Sequence, residues 1–176
     1  KGGICAPGTT RTESEAQYHY EKGIVLAQRG NLDEARGKFE QSLAVEPNAE
    51  SEFQIGLIEL NSNSPTNAQL RLQKAIRLNP GLAEAHESLG AALMLQTEYK
   101  KAERSLREAI LLYGENPATF GYRARTHFNL GKTLVMLERP SEAKAEFLEV
   151  QRLSPDYPRL LEAMPSLAPC FVRVKR

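Results

Sequence analysis

Tryptophan is absent from this 176-residue chain, and cysteine occurs only at Cys5 and Cys170. Two thiols near opposite ends exclude both a disulfide-dense scaffold and a cysteine-based zinc site. No stretch reaches the roughly 18 uninterrupted apolar residues that a membrane-spanning helix requires. There is also no excess of one charge: 23 Lys+Arg stand against 22 Asp+Glu, a formal net charge of +1. This argues against a nucleic-acid-binding domain, which needs a strongly basic face. With 41% apolar and 26% charged residues the chain is not compositionally disordered. Ala, Leu, Glu, Gln and Arg abound, and these are helix formers. The length suits one domain or a short array of small units.

Repetition decides between those two. Glycines at 23, 56, 90 and 131 each interrupt an apolar helical pattern, at spacings of 33, 34 and 41. Twelve residues after each stands an alanine (Ala35, Ala68, Ala102, Ala143), and four further on a large apolar residue (Phe39, Leu72, Leu106, Phe147). Pro47, Pro80 and Pro155 follow twelve after the alanine, with Gly114 in the third unit's slot. Small residues in both helices of a pair let the backbones approach where they cross. Proline ends the second helix, because it cannot continue one and holds its predecessor extended. Pro65 and Pro140 instead fall where the second helix begins, a place where the missing N–H costs nothing, and Ser64 is the expected N-cap there.

These columns resemble the tetratricopeptide repeat, two antiparallel helices in about 34 residues. The resemblance implies an all-α chain, an alpha-alpha superhelix wound as a right-handed solenoid of four helix pairs. The units fall at 16–48, 49–82, 83–116 and 124–157, with an insertion at about 114–123. Residues 1–15, rich in Gly, Pro, Thr and Ser, are expected to be a flexible leader, and 158–176 a short capping helix and tail. In the second unit Glu59 occupies a column that ordinarily holds a large apolar residue, leaving the register of 50–61 open. Asn116-Pro117 in the insertion predicts a cap and helix start, and Phe120 and Tyr122 are either staples onto neighbouring helices or a protruding contact.

Catalytic and metal chemistry find no foothold. His19, His86 and His127 each fill the fourth position of a different unit, a packing slot that moves about 20 Å along the array with each unit. They cannot converge on one ion. Leu130-Gly131-Lys132-Thr133 echoes the end of a phosphate loop, but lacks the earlier glycine. No Ser or Cys has a partner base. The expectation is a non-enzyme without cofactor or metal.

What remains is a surface. In tetratricopeptide arrays the first helices line a concave groove, chiefly through positions 2, 5, 9 and 12. Here those positions include Tyr20, Ile24, Phe53, Leu57, Ala91, Met94, Arg125, Phe128 and Lys132, a strip with an apolar middle and with Tyr20 and Phe128 as expected aromatic anchors. The carboxylate clamp of chaperone-binding members would fall on Tyr20, Ile24, Gln54, Glu84 and Ser88, which supply no cation. A narrower resemblance is to the pilotins, tetratricopeptide lipoproteins that help assemble the outer-membrane secretin of type IV pili. It rests on Cys5 in a short leader, Gln28-Arg29-Gly30-Asn31 at the first helix end, and the insertion. It implies an acyl anchor at Cys5, hence the periplasmic side of the outer membrane; an unacylated chain would be cytoplasmic. The resulting expectation is a scaffold that binds a protein or peptide segment, the secretin on the narrower resemblance. The alternative is a scaffold that homo-oligomerises through its groove and termini.

Overall fold

The computed structural model describes residues 11–157. Within them lie helices α1 (Arg11–Gln28), α2 (Leu32–Val45), α3 (Ala49–Asn61), α4 (Pro65–Leu78), α5 (Ala83–Leu95), α6 (Tyr99–Tyr113), α7 (Phe120–Met136) and α8 (Pro140–Leu153), with one 3-10 turn at Pro117–Thr119. No strand occurs among the described residues, so the chain is all-α. It divides into two compact units, one ending at Pro80 and one beginning at Gly81. Cys5, the capping stretch and the tail lie outside the described residues. Helix α1 reaches back to Arg11, inside the stretch 1–15 expected to be a leader. Residues 11–15 contain neither glycine nor proline, so nothing in them interrupts a helix running back from the repeat.

Each hairpin is locked by the same contact. A methyl carbon added at Gly23 would lie 2.6 Å from the Phe39 ring, at Gly56 2.8 Å from Leu72, at Gly90 2.6 Å from Leu106, and at Gly131 2.7 Å from the Phe147 ring. The glycine notch is therefore filled by the large side chain sixteen residues later, and at Gly56 the partner helix's backbone also comes within contact, with Ala68 O at 3.6 Å. Ala35, Ala68, Ala102 and Ala143 are fully buried beside it. The prolines act as expected: their predecessors Glu46, Asn79 and Ser154 hold φ of −153°, −137° and −148°. Ser64 does stand at the N-cap of α4, but its side chain makes no capping bond.

A further column was not read from the sequence. Seven residues after each notch glycine the chain turns left-handed: Gly30 (φ 83°), Asn63 (55°), Thr97 (60°) and Glu138 (58°). The next amide in each case donates back across the helix end, Asn31 to Leu26, Ser64 to Glu59, Glu98 to Leu93 and Arg139 to Leu134, at 2.9–3.0 Å. This is the six-to-one bond of a Schellman closure. Only Gly30 is of the type that advertises it. Thr97 is β-branched and poorly suited to this conformation. Thr97→Gly should therefore stabilise the fold by about 0.5–1 kcal/mol, glycine's own chain entropy offsetting part of the gain. A melting curve that fails to move upward would show that the turn is not strained.

Three glutamates on first helices are buried: Glu52, Glu59 and Glu87. Each is paired. Arg71 reaches Glu52 at 3.1 Å, and Arg36 of α2 reaches Glu59 of α3 at 2.9 Å. The Arg36 pairing and the Gly56–Leu72 contact settle the open register of α3. Glu59 does occupy the buried column, with its charge met from the preceding helix. In the insertion the Asn116 side chain accepts from the Ala118 amide at 3.0 Å, as a cap should. Phe120 packs against the cluster of Leu106, Ala124, Phe128 and Leu130. Tyr122 lies flat on Tyr113, centroids 5.7 Å apart and planes 12° apart. Both aromatics are thus staples, and the Arg125 guanidinium also lies over the Tyr122 ring, 5.5 Å from its centroid.

Candidate functional site

In the unit that begins at Gly81, a cleft of about 540 Å³ opens between α5 and α7. Helix α5 contributes Ala91, Met94 and Leu95, and Tyr99 enters from the start of α6. Helix α7 contributes Asn129, Lys132, Val135 and Met136, and Phe147 of α8 forms the floor. The volume is in the range of pockets that hold small molecules or peptide side chains, about 300–1,000 Å³. Leu95 and Met136 are more than half exposed and Val135 is 49% exposed, so an open apolar rim borders the cleft. Among the described residues Lys132 is the only cation in the lining, and no carboxylate lines it. Its Nζ sits 5.7 Å from the centroid of the Phe128 ring.

Of the expected groove residues, the fold brings Ala91, Met94 and Lys132 together here. It sends the other two of this unit elsewhere. Phe128 is 7% exposed and packs on Phe147 and Tyr157, centroids 6.0 and 5.2 Å away. It is a core residue, not an open anchor, because the chain leaving α8 covers its ring with Tyr157. Arg125 is committed to Glu87, with Nε 2.5 Å from Oε1 and Nη2 2.8 Å from Oε2. The Tyr113 hydroxyl donates to the same Oε2 at 2.8 Å. Burial, and then the nearby Glu87 charge, hold the Tyr113 phenol protonated far above the ordinary tyrosine range. The bidentate hydrogen bond raises Arg125 in the same sense. Arg125 thus neutralises an internal charge and is not available to a ligand.

The other unit places its residues differently. Tyr20 is half-buried, 5.8 Å from the Phe39 ring, and with Ile24 it backs the cluster of Ala35, Phe39, Ile55 and Ile58. Its open side faces a small polar cavity of about 220 Å³ with Gln17, Ser42, Asn48 and Glu50. Burial shifts its phenol upward, against a hydrogen bond with Gln54 and with the help of Glu50. Phe53 and Leu57 on α3 are half-buried. His127 is buried, with Nδ1 2.6 Å from Glu146 Oε2 on α8. Among the described residues no group of three His, Cys, Asp or Glu is placed to hold a metal, and no helix is long and apolar enough to cross a membrane.

Leu95, Tyr99, Asn129 and Met136 escaped the sequence reading. Leu95 and Met136 did leave a signal, since both stand at the thirteenth position of their units, where the first unit has Gln28. Tyr99 belongs to a second helix and carries no groove position.

Models of the tetratricopeptide repeat match residues 16–49, 53–119 and 124–157. The type IV pilus assembly protein PilF of Pseudomonas aeruginosa is 25% identical over 161 residues, 90% of this chain and 62% of that protein. The chain thus spans less than two thirds of that relative's length. The solved structure of Pseudomonas aeruginosa PilF superposes with a TM-score of 0.76 at 22% identity, covering 90% of this chain and 70% of that one. MamA superposes at 0.71 and 23% identity, covering 81% and 80%. YrrB, described as having an unusual peptide-binding site, superposes at 0.71 and 23% identity, covering 85% and 74%. These structural likenesses bear on the fold.

Proposed function

Since the chain belongs to the tetratricopeptide repeat family, whose members are protein-interaction scaffolds, we propose that it holds a segment of a partner protein in the cleft between α5 and α7. One observation carries this reading. The cleft is a preformed apolar concavity with an exposed apolar rim, on first helices of adjacent hairpins. Burying that rim against a partner returns about 25 cal/mol per Å² of apolar area, whereas leaving it in water has no compensation. Ala91, Met94 and Lys132 are its contact residues. The likeness to a pilus assembly protein supports a pilotin-like role, with an outer-membrane secretin as partner and acylation at Cys5 as the membrane link.

A photo-crosslinkable residue at position 94, expressed in the native host, tests this against the same residue at Leu70, an exposed apolar site on α4. A discrete product from position 94 alone is expected. Met94→Glu should weaken binding to the partner so identified by about tenfold, since a charge would have to enter the apolar cleft. A secretin in the product supports the pilotin-like role. A product of twice the chain's own mass would favour homo-oligomerisation instead. Equal crosslinking from both positions would remove the cleft as the site.

A further inference from the structure

The composition of the cleft restricts what it can hold. Its walls are built from Ala91, Met94, Leu95, Val135 and Met136, so the deepest group of any occupant must be apolar. Methionines on both sides are unbranched and adaptable, and suit aliphatic and aromatic side chains alike. The charge of the lining is one-sided. Among the described residues Lys132 is its sole cation, no carboxylate lines it, and Lys132 enters no ion pair. The neighbouring cation, Arg125, is already neutralised by Glu87. Asn129, Lys132 and Met136 lie three and four residues apart on α7, so the ammonium stands one helical turn from the apolar wall. An acidic group meeting Lys132 must therefore be adjacent in space to the buried apolar one.

Resting on the reading that the cleft binds a protein segment, we infer that the segment carries a large apolar side chain with a carboxylate within two residues of it. The apolar side chain enters the cleft, and the carboxylate meets the Lys132 ammonium at the rim. A segment with a cation in that place meets like charge and is discriminated against. Rim charges of this kind set specificity more than affinity, and their effect fades as salt screens them.

The test is a selection of random twelve-residue displayed peptides on the full chain, followed by titration of synthetic copies of those enriched. Enriched peptides are expected to pair Leu, Ile, Met or Phe with Asp or Glu at a distance of one or two residues, and to be lost on Met94→Glu. Replacing the peptide's acid by Lys should weaken binding by about two- to fivefold at low salt, with the difference shrinking at high salt. Lys132→Glu, an exposed change that should leave the helical circular dichroism intact, should reverse the order of the acidic and basic peptides. Peptides that require Met94 but ignore the charge swap, or an order unchanged by Lys132→Glu, overturn this inference and leave the protein-binding reading standing. No enrichment, or enrichment indifferent to Met94→Glu, overturns both.

Discussion

Gly131→Val is expected to destabilise the chain by about 3 kcal/mol, the upper part of the usual overpacking range. A methyl carbon at that position already lies 2.7 Å from the Phe147 ring, and three ring atoms crowd within 2.9 Å. The ring is 1% exposed and backed by Phe128, so relief would require it to leave its packed position and swing into the cleft whose floor it forms. Valine adds two further carbons to the clash. For a chain of this length the loss corresponds to a melting temperature lower by about 6–12 °C. Gly37→Ala is the matched control, since Gly37 lies inside α2 with open space where the methyl would go. There helix propensity acts alone, and a gain of up to about 1 kcal/mol is expected. The mechanism is tested by adding Phe147→Ala to Gly131→Val. Removing the ring vacates the space, so the two losses should fall short of additive by more than about 1 kcal/mol. Strictly additive losses in urea titrations would mean that the notch is not filled by this side chain.

The second large effect separates structure from recognition. Arg125 stood among the expected groove residues, and its side chain is 53% exposed, as a ligand-binding cation would be. Its two bonds to the buried Glu87 make it a structural counter-charge. Arg125→Met leaves that carboxylate with the Tyr113 hydroxyl alone. The expected cost is about 2–3 kcal/mol, below the usual figure for breaking a buried pair, because water reaches the arginine side. Adding Glu87→Gln removes the charge while keeping an acceptor for Tyr113, and should recover most of the loss. If Arg125→Met left the unfolding midpoint in place and abolished partner binding, the residue would belong to the recognition surface after all.

The architecture was legible because its determinants sit within single hairpins. The notch glycine, the buried alanine four residues before the large side chain, and the proline that ends the unit recur at fixed offsets of twelve and sixteen residues. Any periodic reading of the chain can find such offsets. Even the Glu59 anomaly pointed to the right place, though not to its solution, since Arg36 lies in the preceding hairpin. The left-handed turn residues were periodic too, yet Asn63, Thr97 and Glu138 disguise a position that glycine would have announced.

The candidate site is another matter. The resemblance to the tetratricopeptide repeat named Ala91, Met94 and Lys132 through the groove positions of its first helices, and position in a helix sets which way a side chain points. Whether a side chain pointing that way meets solvent, a neighbour or a counter-charge depends on residues that no repeat column relates. Tyr157 comes from beyond α8 and covers Phe128. Glu87, 38 residues before Arg125, takes it out of play. Tyr99, from a second helix, helps close the cleft. The amino-acid pattern alone yields the hairpins and the packing inside each, but not the reach of α1 back to Arg11. Which groove positions stay open follows from how the hairpins pack, because accessibility is set between hairpins, whereas the repeat is written within them.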